Sequence, residues 1–162
     1  MSLSVLGVGT DVHAGGADLA FPHHAYHAAI AEAFTGVAPH TRAWFHVGTV
    51  TVGGAKMAKS TGNLVLLADL LTEHPWAAVR MMILHRPWHR SWDYHPDLLD
   101  TAAARVRDLH EAAARPGLGD PDALAEIRHL LADDLDVPAA LATAVKAGGD
   151  AARLLISVLG LA

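Results

Sequence analysis

Apolar and polar positions change their rhythm part of the way along the chain. Thr10-Asp11-Val12-His13 alternates as a half-buried strand does and runs into the glycine-rich stretch Ala14-Gly15-Gly16-Ala17-Asp18. Pro22 precedes a helical pattern over 23–34, and Gly36 supplies the stop. Short β-like runs follow at 43–47 and 50–52, with Gly53-Gly54 leading into a basic loop. From Leu64 onward the spacing is helical. It predicts short helices over 66–72 and 76–84 and a longer one from Asp97 to about Arg115, ended by Pro116-Gly117. Further helices are expected over 122–132, 138–147 and 150–159, with an irregular aromatic stretch at 85–96. The pattern therefore predicts an α/β region over 1–63 and an all-α region over 64–162.

Composition narrows the chemistry. With 52% apolar and 18% charged residues, the 162-residue chain can bury a sizeable core, and a wholly disordered chain is not expected. A formal charge of −5 removes any general basic footprint for nucleic acid. No apolar run approaches the roughly 18 residues of a membrane span, and the first residues lack a basic secretory n-region. The expectation is a cytoplasmic protein with no membrane partner. Cysteine is absent while histidine occurs 12 times, so a metal held by this chain alone must use imidazole, carboxylate or carbonyl groups.

The loop Lys56-Met57-Ala58-Lys59-Ser60 places two ammonium groups three residues apart, after two glycines and before Thr61-Gly62-Asn63. Such groups can neutralise a polyphosphate, but a solvated turn has the same composition. His23 and His27, at i and i+4, can reach one metal from one helix face. His24 points elsewhere and is expected to pack or cap.

Several segments, in the family's order along the chain, carry a family resemblance. KMAKS with TGN resembles the KMSKS loop of class I aminoacyl-tRNA synthetases. DVHAGGADLAFPHH resembles a block of the cysteinyl-tRNA synthetases and of the related cysteine ligase of mycothiol biosynthesis. ADDLDVPAAL and LLISVLGLA resemble segments of the helical domain in these enzymes. The resemblance implies the C-terminal half of a class I synthetase Rossmann fold followed by a helical bundle, without the N-terminal half that carries the HIGH-type motif.

It also implies roles for particular residues. Gly15, Gly16, Ala17 and Asp18 would lie against the ribose and adenine of an aminoacyl-adenylate, and the Val50 backbone would contact the adenine. Lys56 and Lys59 would stabilise the phosphates of ATP, with Ala58 standing where the family has serine. His23 matches a zinc ligand, and His27 stands at the position of a glutamate ligand; the family's two cysteine ligands have no counterpart. ATP is thus the implied cofactor, zinc a further candidate, and an amino acid the implied substrate. Half of a parallel sheet leaves an open edge and a bare apolar face. Self-association or a chain supplying the missing half is expected to cover it, and tRNA is a further candidate partner.

The enzymatic reading is adenylate formation and acyl transfer to an amine or hydroxyl. Against it stand a non-catalytic nucleotide- or tRNA-acceptor-binding module and a relic without a ligand. Trp88, Trp92 and Tyr94, interleaved with Arg86, His89 and Arg90, suit either a nucleic-acid strand or internal packing. Asp133, Asp134 and Asp136 suit either a cation or a helix cap. Arg105 and Arg107 are expected to face solvent.

Overall fold

The computed structural model describes residues 2–117 and 120–162. The chain divides into two units: residues 1–51 with 89–93, and residues 52–88 with 94–162.

The first unit opens with a short helix, α1 (Ser2–Leu6), which the periodicity did not anticipate. Strand β1 (Thr10–Gly16) then pairs in parallel with β2 (Thr41–Val47), joined by helix α2 (Ala25–Thr35). The register sets Thr10 opposite Thr41, His13 opposite Trp44 and Gly15 opposite His46. Hydroxyls of Thr10 and Thr41 meet at 2.9 Å at the start of the pair. Between β1 and α2 the chain makes two tight turns, Ala17–Leu19 and Ala20–His24, so α2 begins at Ala25 rather than at 23. Pro22 and the extended backbone of Phe21 interrupt the helix there. At the other end the expected stop operates: Gly36 adopts φ +71° and its N–H bonds to the Glu32 carbonyl at 2.8 Å.

Strands β3 (Val50–Val52), β4 (Ala55–Lys56) and β5 (Trp92–Tyr94) form a second sheet in the order β4-β3-β5. The boundary between the two units runs through these strands. Within the first unit the Trp92 N–H bonds to the Thr49 carbonyl at 3.1 Å, and the Thr49 N–H bonds to the Ser91 hydroxyl at 3.0 Å. A side chain at Gly48 would run into the backbone of Arg90 and Ser91, which explains the glycine. The aromatic stretch 85–96, expected to be irregular, thus contains the strand that pairs with β3.

The second unit is helical: α3 (Leu67–Glu73), α4 (Trp76–Leu84), α5 (Asp97–Ala113), α6 (Pro121–Ala132), α7 (Val137–Ala147) and α8 (Gly149–Leu159). These elements lie within a residue or two of the positions read from periodicity. Asp120 caps α6 by accepting from the Asp122 N–H at 3.0 Å, with Pro121 at its first position. Asp136 caps α7 by accepting from the Ala139 N–H at 3.0 Å. Helices α4, α5, α6, α7 and α8 bury a common core that includes Met81, Leu99, Leu109, Ile127 and Leu155, each fully or almost fully removed from solvent. Ala31 is the one described apolar residue of the first unit that is buried to a comparable degree. Among the described residues no helix is long and apolar enough to cross a membrane.

Candidate functional site

The predicted site residues fall in both units. Gly15, Gly16, Ala17, Asp18, His23, His27 and Val50 lie in the first, while Lys56 and Lys59 lie in the second.

In the first unit, the parallel register and the first turns of α2 bring imidazoles together that are far apart in sequence. Trp44 and His46 are two residues apart on β2 and therefore share a face. Their rings stack at 5.7 Å and 16°. His24 stacks on His46 at 5.1 Å, and its Nδ1 lies 2.8 Å from His46 Nε2. One nitrogen must donate and the other accept, so at least one of these two rings is neutral while the bond exists. His13 lies 4.9 Å from Trp44, 4.6 Å from His24 and 5.4 Å from His27. His27 in turn meets the edge of His40 at 5.2 Å.

Burial and crowding lower His13 and His24. Burial and then the charges that His24, His27, His40 and His46 would carry hold His13 below the usual imidazole range. His24 is also lowered, by burial first and then by His46, His23 and His27, with Asp18 opposing. His40 is fully buried. Its backbone N–H donates to Glu32 Oε1 at 2.9 Å, while its Nε2 makes no hydrogen bond within the described residues.

The glycine block is shaped by these same groups. A Cβ on Gly15 would sit 2.5 Å from His24 Cε1, so glycine is what lets the buried ring lie against β1. A Cβ on Gly16 would collide with the Asp18 carboxylate. Ala17 and Asp18 are exposed, and Val50 is half-buried on β3.

His23 is exposed and His27 half-buried, and the His27 ring meets those of His13 and His40. Among the described residues no group of three or more His, Asp or Glu side chains converges as a metal centre requires. A structural zinc site takes four protein ligands and a catalytic one three. Two imidazoles from this chain alone do not fit resident zinc. Sequence reasoning missed His13, His40, His46 and Trp44 as neighbours of the site. The i, i+2 spacings His13/Gly15 and Trp44/His46 hold part of the signal; the pairing register holds the rest.

In the second unit, Lys56 closes β4 and Lys59 opens a tight turn, Lys59–Thr61, ended by Gly62 at φ +68°. Both lysines are exposed, and Met57 and Ala58 between them are half-buried. The loop is an ordered turn with its own hydrogen bonds: the Thr61 N–H reaches the Ala58 carbonyl at 3.2 Å and the Gly62 N–H the Lys59 carbonyl at 3.3 Å.

Several of the remaining conspicuous residues make hydrogen bonds within the second unit. Trp88 Nε1 donates to the Asp134 carbonyl at 3.0 Å and to its carboxylate at 2.9 Å. Arg86 donates from Nε and Nη2 to the Met82 carbonyl at the end of α4. Asp136 is the helix cap already described. Arg107 is exposed, but Arg105 is half-buried, a correction to the expected solvent face. After burial, Arg105 is the leading neighbouring charge that lowers both His85 and Arg86.

Residues 1–104 match the family described as tRNA synthetases class I (C) catalytic domain, and the chain belongs to that family. Among curated proteins it is similar to the L-cysteine:1D-myo-inositol 2-amino-2-deoxy-alpha-D-glucopyranoside ligase of Thermobispora bispora, at 44% identity over 143 residues. The match covers 88% of this chain and 36% of that ligase. The ligase of the same name from Streptomyces griseus is 43% identical over 145 residues, covering 88% of this chain and 35% of the relative. The chain thus spans about a third of the length of these relatives. Among solved structures, the agnB2 LeuRS of Agrobacterium radiobacter K84, in ternary complex with tRNA and LeuAMS, aligns with a TM-score of 0.63. That alignment covers 93% of this chain and 26% of the LeuRS at 18% identity, so it concerns the fold alone. The mixture of helices with small sheets is accordingly similar to a class I synthetase fold.

Proposed function

We propose that this chain is the lysine-loop portion of a synthetase-like ligase that activates an amino acid with ATP and passes the acyl group to an amine or hydroxyl. Membership of the class I (C) family over residues 1–104 carries this reading. The names of the curated relatives, which are cysteine ligases, support it. In such a reaction a carboxylate oxygen bonds to the α-phosphorus and the bond to pyrophosphate breaks. Lys56 and Lys59 would neutralise the charge that gathers on the departing phosphates, where a mobile ammonium is most effective. Gly15, Gly16, Ala17, Asp18 and the Val50 backbone are the proposed nucleoside contacts. The acceptor in this reading is an amino-sugar amine, by analogy with the relatives' names; a tRNA hydroxyl is the competing acceptor.

The finer assignments belong to the same proposal. The first unit corresponds to part of a Rossmann fold and the helices of the second to the bundle that follows it. Exposed Ile30 and Phe34 on α2, together with a sheet of only two parallel strands, support completion by another chain or a second copy. His23 and His27 would contribute to a metal only with donors from that partner. A second reading, a nucleotide- or tRNA-acceptor-binding module without chemistry, draws support from the glycine block, because His24 and Asp18 already lie against Gly15 and Gly16.

Amino-acid-dependent exchange of pyrophosphate into ATP separates the two, measured on the full chain alone and with candidate completing chains. Exchange that Lys59→Ala lowers about 100-fold is the expected result. ATP binding with no exchange in any pairing would leave the binding module.

A further inference from the structure

Asn63 ends the TGN that follows the two lysines, and it holds their loop in shape. Its Oδ1 accepts from the Ala58 N–H at 2.9 Å and lies 2.5 Å from the Thr61 hydroxyl. Its Nδ2 donates to the Lys56 carbonyl at 3.2 Å. The Thr61 hydroxyl also reaches the Ala58 carbonyl at 2.8 Å, so its single proton serves two acceptors. One amide therefore ties together the residue that ends β4, the middle of the loop and the turn that begins at Lys59. An amide side chain supplies both the acceptor and the donor this arrangement uses, whereas a carboxylate would set an oxygen against the Lys56 carbonyl. The position occupied by Ala58 takes part through its backbone N–H and carbonyl, which is why a side chain without a hydroxyl suffices there.

We propose that Asn63 is a positioning residue that presets the spacing of Lys56 and Lys59 for a polyphosphate. This rests on the phosphate role given to the lysines above. Exposed lysines lose rotamer and loop freedom when they close on an anion, and a loop already braced loses less. The ligand class is an inorganic or nucleoside di- or triphosphate, whose adjacent charges two ammonium groups can span.

Inorganic tripolyphosphate is the probe, with binding to the full chain followed by calorimetry at low salt. Removing both lysines (Lys56→Ala with Lys59→Ala) should abolish binding, and Asn63→Ala should weaken it about tenfold while the thermal midpoint stays within about 2 °C. In the single variant Lys56→Ala, which leaves no spacing to preset, Asn63→Ala should weaken the residual binding by much less than tenfold, a coupling that a merely structural asparagine would not produce. Trypsin cleavage after Lys56 and Lys59 should also accelerate about tenfold in Asn63→Ala, a readout independent of any ligand. Binding equal to wild type in Asn63→Ala, with the lysines still required, overturns the positioning role and leaves the lysine reading standing. Unchanged trypsin cleavage overturns it as well. A wild-type chain that fails to bind tripolyphosphate, or binds it equally well without the lysines, overturns the phosphate reading itself.

Discussion

The two units solve the problem of burial differently. In the helical unit, Leu99, Leu109, Ile127 and Leu155 are fully buried, and capped helices close over them. In the α/β unit the most buried groups include His24, His40 and Thr41, while Ile30 is 68% and Phe34 82% exposed. Burying apolar area stabilises by about 25 cal/mol per Å², whereas buried imidazoles bring a desolvation cost that hydrogen bonds only offset. The helical unit therefore carries more of the intrinsic stability, while the α/β unit holds the imidazole cluster. Ile30 and Phe34 on α2 are thus large apolar side chains left in water within the unit that also holds the imidazoles.

The sharpest way to break this contrast is to cut the same kind of side chain from each unit. Leu109→Ala should cost about 3 kcal/mol in denaturant unfolding, because the cavity forms in a closed core. Phe34→Ala should fall within about 0.5 kcal/mol, because the ring is already in solvent. Equal losses would show that the α/β unit holds a core of its own. The same Phe34→Ala, joined to Ile30→Ala, should reduce binding of an apolar dye; an unchanged signal would remove the case for a covering partner on α2.

Next in size, Asp136→Ala should cost about 1 kcal/mol by leaving the Ala139 N–H without its cap. Protonation then tests the imidazole cluster. His13 and His24 have folded-state values below the usual 6.5, so the folded chain binds protons less readily than the unfolded one. Stability is complete above pH 6.5 and should fall as the pH drops below it, levelling only under the folded-state values. Unfolding free energies at about pH 7.5 and 5.5 measure this slope, and His13→Gln should flatten it. A slope unaltered by that substitution would place the acid sensitivity elsewhere, with His85 the first alternative because it is lowered too. The smallest effect is expected from Asp11→Asn. Its 3.0 Å pair with Arg42 has both side chains about four-fifths exposed, and its loss should stay under about 0.5 kcal/mol.

The helical region was the most legible in the sequence, since a 3.6-residue period, Asp caps and Gly or Pro stops all act locally. Helix α4 was read to the residue, and α5 to α8 to within a residue or two. The two lysines and the glycine block were legible as motifs for the same reason, each being contiguous. Helix α1 and strands β4 and β5 were not. At two to five residues they are too short for a period to register, and β5 exists because β3 pairs with it. His23 and His27 show the limit of spacing arguments. An i, i+4 interval puts two side chains on one helix face, but what stands opposite that face is decided by other elements. Here His13 from β1 and His40 from the connection to β2 meet His27.

By itself the sequence determined the helices from α3 onward and where they stop, which family the chain resembles, and that any metal donors must be imidazole or oxygen. The tertiary structure alone decided that His13, His24, His27, His40, His46 and Trp44 form one cluster, that Gly15 is needed by His24, and that Asn63 braces the lysine loop. The reason is physical. Capping, periodicity and turn propensity are short-range and written along the chain, whereas parallel pairing joins residues some thirty positions apart. Its register, set by packing, selects the side chains that meet.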